Sequence, residues 1–284
     1  MAGESGTERP FILVSNDDGV YSPGLLALKQ ALAEVGDVVV LAPDRNRTAA
    51  GHSKTMHKPL RVQKVTLADE SEAYAGSGSP SDCVALALLG LFQRTPHLVV
   101  SGINLGANMG HDLIYSGTVS AAMEAVIFGV PGIAVSLDTH EPPKPEAWTA
   151  AGRFAAHLAR QVLDQGLPPS VVLNVNVPNI PANQLRGVEV TRLGQRVYRD
   201  ELVERFDPRG RPYYWIGGEV PGGEPHDGTD IGAVDHGMIS ITPVHLDLTE
   251  YRFMDHLRSW NLTLDGVTSD ETSPRGGETV AHEG

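Results

Sequence analysis

The sequence predicts an α/β fold: a Rossmann-like, mostly parallel sheet flanked by helices, followed by a smaller C-terminal β-rich part that includes a hairpin arm. Three observations predict it. Short β-branched or leucine-rich runs alternate with longer helical patterns through the first half, the signature of βαβ units around a parallel sheet. After Pro178 the rhythm changes, and Gly187 to Val220 is rich in β-formers, glycine and aromatics without another clear helix. The 284 residues, 41% hydrophobic and 20% charged, suit a globular chain with a substantial core.

Taken in order, the first strand is the apolar run Phe11 to Ser15, and the next three are Val38 to Leu41, Leu98 to Ser101 and Gly132 to Ser136. Between them, Pro23 to Val35, Ser81 to Phe92 and Val119 to Phe128 carry apolar residues at helical spacing. A helix from Ala147 to Leu163 leads to a fifth buried strand, Val171 to Val177. Further on, Tyr213-Tyr214-Trp215-Ile216 behind Pro208-Arg209-Gly210-Arg211-Pro212 has the pattern of a hairpin with its turn at the tip. Such an arm exposes apolar edge surface, which a partner subunit usually covers.

Composition excludes several classes. A formal net charge of -13 argues against duplex nucleic-acid binding, which needs a cationic face. A small anionic substrate stays compatible, because a bound dication inverts the local field. Cys83 is the one cysteine, so neither an intramolecular disulfide nor a thiolate cluster is possible; it reads as a small core residue. The N-terminus lacks the apolar stretch of a signal peptide, and no segment approaches a membrane span, so the chain reads as cytoplasmic, with no membrane partner.

The chemistry-bearing residues cluster at strand ends. Asn16-Asp17-Asp18-Gly19 follows the first strand directly. Adjacent side chains of an extended strand face opposite ways, so two neighbouring aspartates converge only where the backbone turns, which Gly19 permits. An ordinary polar turn is the plain alternative. Beyond the second strand, Pro43 and the polar run Asp44 to Ser53 predict a long loop crossing the same edge, able to deliver a hydroxyl or a basic side chain. Ser101-Gly102-Ile103-Asn104-Leu105-Gly106-Ala107-Asn108-Met109-Gly110 adds backbone freedom and neutral amides, without the G-x-G-x-x-G of a nicotinamide site. Tyr115-Ser116-Gly117-Thr118 precedes a helix whose free N–H groups form a ready anion site, with Ser116 or Thr118 as cap. Ser79-Pro80-Ser81-Asp82 reads as a cap alone. Two carboxylates with oxygen ligands and an anion site suit Mg²⁺ or Mn²⁺ with a phosphate.

At these motifs the sequence resembles the SurE (survival protein E) family of 5'/3'-nucleotidases. The resemblance is carried by Val14-Ser15-Asn16-Asp17-Asp18-Gly19, Ala42-Pro43-Asp44-Arg45-Asn46-Arg47, Ser101-Gly102-Ile103-Asn104-Leu105-Gly106 and Tyr115-Ser116-Gly117-Thr118-Val119 with Ala121-Ala122-Met123-Glu124. Pro208-Arg209-Gly210, Tyr214-Trp215 and Ser240-Ile241-Thr242-Pro243 extend it from Pro10 to about Leu248. It implies a metal-dependent phosphomonoesterase acting on nucleoside 5'- and 3'-monophosphates, working as a homodimer or homotetramer. One divalent ion per subunit, Mg²⁺ or Mn²⁺, would be held by Asp17, Asp18, Thr48 and Asn104. Thr48 stands where the family usually has serine; the hydroxyl is kept and χ1 restricted. Asp17 or Asp18 would orient the attacking water, and Asn108, Ser116, Gly117 and Thr118 would hold phosphate oxygens, with Asn16 also at the substrate.

The expected division is a disordered segment over 1–9, a Rossmann-like catalytic domain over 10–185, a β-rich hairpin and oligomerisation region over 186–264, and a disordered tail over 265–284. His52 and His111 are loop histidines near the proposed site, able to donate protons or simply solvated. Tyr213, Tyr214 and Trp215 either stack on a base or pack the hairpin. Two other readings compete: a phosphatase with an aspartyl-phosphate intermediate, whose two acids are usually separated by one residue whereas Asp17 and Asp18 are adjacent, and a non-catalytic metal-bridged nucleotide sensor.

Overall fold

A computed structural model describes residues 9–48, 51–139, 141, 143–197, 200–218, 222–260 and 262–264; the segments expected to be disordered, 1–9 and 265–284, fall outside these apart from Arg9. Arg9 donates to the carbonyls of Ala33 and Gly36. The strands are β1 (Phe11–Ser15), β2 (Asp37–Pro43), β3 (Val62–Thr66), β4 (Glu72–Gly76), β5 (Leu98–Leu105), β6 (Gly132–Asp138), β7 (Val171–Pro178), β8 (Val188–Val190), β9 (Arg196–Val197), β10 (Asp200–Phe206), β11 (Pro212–Gly218), β12 (Gly222–Gly223) and β13 (Ile239–His245). The helices are α1 (Pro23–Leu32), α2 (Pro80–Leu86), α3 (Gly117–Ile127), α4 (Pro145–Gln165), α5 (Asp230–Asp235) and α6 (Tyr251–Arg258).

Nine strands form one sheet in the order β3-β4-β2-β1-β5-β6-β7-β13-β8. From β4 to β7 every pair is parallel, while β3 runs antiparallel to β4 and β13 antiparallel to β7, with β8 parallel to β13 at the edge. The chain moves outward from β1 on one side through β2 and β4, then returns to lay β5 on β1's other flank. Strand order therefore reverses between β1 and β5, where open α/β sheets bind ligands.

Every residue of β1 is buried, as a parallel strand covered on both faces requires. Ile12 and Val14 pack with Leu25, Leu28 and Leu32 of α1 and Ala151, Ala155 and Ala159 of α4. Leu13 points oppositely and packs with Cys83 and Val84 of α2 and Ala121 and Ala125 of α3. The period of two in β1 thus joins the two layers of helices to one sheet. Cys83 is a core residue, its thiol pushed up to about 12 by burial and the nearby Asp82 and Asp44 charges.

Differences from the sequence expectation have local causes. Strands β3 and β4 carry Gln, Lys, Ala and Gly, which are poor strand signals, and β3 is an edge with exposed residues. The helical pattern over Ser81 to Phe92 ends early, because a π turn over Ala87–Leu91 follows α2 and contains Gly90 at φ +109. At the start of α2, Ser79 and Asp82 form a reciprocal cap: Asp82 N–H donates to Ser79 Oγ and Ser79 N–H to Asp82 Oδ2.

Region 186–264 returns β8 and β13 to the main sheet and also carries the antiparallel hairpin β10–β11. Its tip is the expected turn, with Asp207 Oδ1 accepting from Arg209 and Arg211 N–H and Gly210 at φ +75. The chain divides into two compact units, Met1–Leu246 and Asp247–Gly284. In the second, α6 carries Phe253, whose ring meets His256 and Trp260.

Candidate active site

Ser15 of β1 sits in register with Ser101 of β5, so Asn16, Asp17 and Asp18 leave the sheet beside Gly102, Ile103 and Asn104. Asn16 closes the turn: Gly19 N–H donates to its Oδ1 while its Nδ2 donates to Gly19 O and Ser22 Oγ. Gly19 adopts φ +103, and a Cβ there would lie 3.0 Å from the Arg45 carbonyl carbon. Asn16 is fully buried with both ends of its amide spent on the turn, so it scaffolds the backbone that carries the aspartates.

Strand β5 gains one residue over β6 between Ser101 and Asn104, a bulge that re-aims Asn104 at the end of the strand. Asn104 Nδ2 donates to Gly106 O at 2.8 Å, so Oδ1 is the atom that could ligate a metal. The next residue, Leu105, donates its N–H to Asp18 Oδ2 at 3.2 Å.

Above the aspartates stands the N-terminus of α3. Ser116 is its cap, with Oγ accepting from Val119 N–H at 3.1 Å. A Cβ on Gly117 would lie 2.7 Å from Asp17 Cβ, so the helix approaches Asp17 as closely as it does only because that residue is glycine. Thr118 Oγ1 donates to Asp17 Oδ1, a contact between residues 101 apart in the chain. Burial raises the Asp17 carboxyl above its usual range, opposed by the Thr118 hydroxyl and by backbone N–H groups including those of Thr118 and Gly117. Asp18 is pushed up to about 6 by burial and then by the Asp17 charge, with Leu105 N–H working the other way. Among the described residues neither carboxylate is paired with a cationic side chain, and no group of three or more His, Cys, Asp or Glu could hold a metal. Two adjacent like charges, one buried and one half-buried, with neutral oxygens around them are a donor set that a hard dication fits.

Thr48 lies on the loop after β2, exposed, its hydroxyl donating to Asn46 Oδ1 at 2.6 Å. It is tied to the aspartates through Arg47, whose N–H donates to Asp17 O at 2.7 Å. Asn108 lies deeper: its Nδ2 donates to Ser136 Oγ, its N–H to Asn176 Oδ1, and its carbonyl accepts from Asn174 and Asn176. One amide hydrogen of Asn108 remains for a ligand. The sequence reading passed over Asn174 and Asn176, although two asparagines two apart in an otherwise apolar strand were the available signal. His52 does not stand free; its Nε2 lies 2.8 Å from Glu124 Oε2. Tyr213, Tyr214 and Trp215 are on the hairpin and exposed.

The Survival protein SurE family matches residues 12–200 of the chain. A 5'-nucleotidase SurE of Chloroflexus aggregans is 55% identical over 252 residues, covering 88% of this chain and 98% of that protein. Another 5'-nucleotidase SurE, from Herpetosiphon aurantiacus, is 54% identical over 253 residues, 88% of this chain and 98% of that one. The crystal structure of the SurE protein from Aquifex aeolicus superposes with a TM-score of 0.77 at 42% identity, covering 88% of this chain and 99% of that chain.

Proposed function

The chain belongs to the survival protein SurE family, and from that premise we propose that it is a metal-dependent 5'-nucleotidase hydrolysing nucleoside monophosphates to nucleoside and phosphate. The observation that carries the reading is the adjacent pair of Asp17, buried, and Asp18, half-buried, which among the described residues have no cationic partner and lie under the N-terminus of α3 at the switch point of the sheet.

Asp17, Asp18, Asn104 and Thr48 would hold one Mg²⁺ or Mn²⁺, whose two charges offset the two carboxylates. When bound, the dication supplies neutralisation of phosphoryl charge and a water of lowered pKa. Thr118 orients Asp17 through its hydroxyl. Asp18, held by Leu105 N–H, accepts a proton from the attacking water and aligns it. The free N–H groups of the first turn of α3, with Ser116, Gly117 and Thr118, and the remaining amide hydrogen of Asn108 receive phosphate oxygens. These donors are fixed before substrate arrives, so charge developing on the phosphoryl group meets dipoles already in place.

The finer reading is of both 5'- and 3'-monophosphates as substrates, in a cytoplasmic homo-oligomer, dimer or tetramer. Exposed Leu202, Phe206, Trp215 and Ile216 on the hairpin support self-association. The net charge of -13 supports exclusion of duplex nucleic acid. No helix among the described residues is long and apolar enough to cross a membrane.

The test is phosphate release from 5'- and 3'-nucleoside monophosphates and p-nitrophenyl phosphate with Mn²⁺, Mg²⁺ or EDTA. Release that prefers nucleotides and stops in EDTA is expected. Nucleotide bound without phosphate release would make the protein a sensor, and a trapped phosphoenzyme would make it an aspartyl-phosphate phosphatase.

A further inference from the structure

Two turns along α3 from the site, Glu124 has no solvent exposure and sits among small residues, Ala121, Ala122 and Ala125. A carboxylate stripped of water is unfavourable unless paired. Both of its partners come from one segment, the loop between β2 and β3. Lys54 Nζ lies 2.6 Å from Oε1 and His52 Nε2 2.8 Å from Oε2. Lys54 also lies over the Phe128 ring at the end of α3, 5.4 Å from its centroid. Gly51 N–H donates to Tyr115 O at 3.2 Å, just before the α3 cap. Thr48 therefore stands between two anchors, Arg47 on Asp17 and residues 51–54 on α3. Ser53 O, between His52 and Lys54, and Thr55, just beyond them, are tied to Ser79 and Asp82 at the start of α2, which confines any release to the part of the loop nearest Thr48.

We propose that Glu124 is a positioning residue for the reaction: it clamps the β2–β3 loop onto α3 and so sets where Thr48 stands relative to Asp17, Asp18 and Asn104. The inference rests on the reading of Thr48 as a metal ligand. Neutralising Glu124 removes the His52 and Lys54 anchors and loosens the loop between its remaining backbone ties, without unfolding the helix. The glutamine amide has the carboxylate's shape, and the released Lys54 and His52, with side chains 45% and 31% exposed, turn into water.

The test compares the parent full-length protein with Glu124→Gln, with His52→Gln/Lys54→Met, and with the triple variant. Without metal, trypsin should cut Glu124→Gln after Arg47 about tenfold faster than the parent, while the thermal midpoint moves little. The Kd for Mn²⁺, read from the EPR signal of the free ion, should rise about tenfold, the scale of losing a residue that supports a ligand. Saturating Mn²⁺ should restore kcat while the Mn²⁺ requirement stays raised. The double variant should reproduce these effects without altering α3, and the triple should be no worse than either. Parent-like cleavage and Mn²⁺ affinity in folded Glu124→Gln would overturn the proposal, as would faster cleavage with unchanged Mn²⁺ affinity. If Glu124→Gln fails to fold, the double variant decides by the same criteria. A parent that binds no Mn²⁺ would overturn the metal reading itself, whereas the metal-free cleavage comparison reports on the clamp alone.

Discussion

At Asp18, burial and the Asp17 charge act together, and one Leu105 N–H offsets only part of their effect. Such a pair is held at the expense of the folded state. Asp18→Asn should therefore do two opposite things. It should lower kcat/KM with Mn²⁺ at least about a hundredfold, the upper end of what a disturbed ligand shell costs. In EDTA it should raise unfolding stability by about 1 kcal/mol, allowing for solvent screening of a site that still meets water. Parent-like turnover, or an apoprotein destabilised by the change, would contradict this account. Both aspartates were legible in the sequence because adjacent acids behind an apolar run need only local geometry. The Thr118 hydroxyl on Asp17 was not, since no local pattern pairs residues 101 apart.

At the scale of elements, α3 delivers its N-terminus to the site because Gly117 lets Asp17 come close. Gly117→Ala would force the two apart, and misplacement of about 1 Å is enough to cost about a hundredfold in rate. The expected outcome is a folded protein, by circular dichroism, with phosphate release reduced on that scale. The start of α2 makes a pH prediction. Burial opposes the Asp82 charge, but the hydrogen bonds from Thr55 and Ser79 outweigh it and hold the carboxyl below its usual 3.8. A carboxyl depressed by folding contributes stability above its unfolded pKa and loses it as pH falls through the folded value. Asp82→Ala should cost about 2 kcal/mol in urea unfolding at pH 7. The gap to the parent should narrow below pH 4. The cap was legible from Ser79 and Asp82, but Thr55 was not, because the loop that brings it there has no periodic pattern.

For the whole molecule, the hairpin β10–β11 is an element that a single chain leaves uncovered, with Ile216 86% and Leu202 69% exposed. Trp215→Asp with Ile216→Asp should shift the protein toward monomer in sedimentation velocity at micromolar concentration. An unchanged oligomer, or a monomeric parent, would remove the hairpin from assembly. The hairpin and its turn were readable because aromatic runs and a Pro/Gly tip are local signals. The return of β8 and β13 to the main sheet was not readable, since strand pairing across such separations leaves no mark on either segment's own pattern.

The sequence by itself determined the alternating α/β architecture, the strand ends that bear chemistry, the caps of α2 and α3, and, through its motifs, the family. Each of these depends on residues within about one turn or strand of one another. Only the tertiary structure decided that Asn16 holds the turn, that a bulge in β5 aims Asn104, that Thr118 holds Asp17, and that Glu124 gathers His52 and Lys54. Those relations join distant segments, and they exist only once the order β4-β2-β1-β5-β6-β7 has set β1 beside β5 and laid α3 and the β2–β3 loop over their ends.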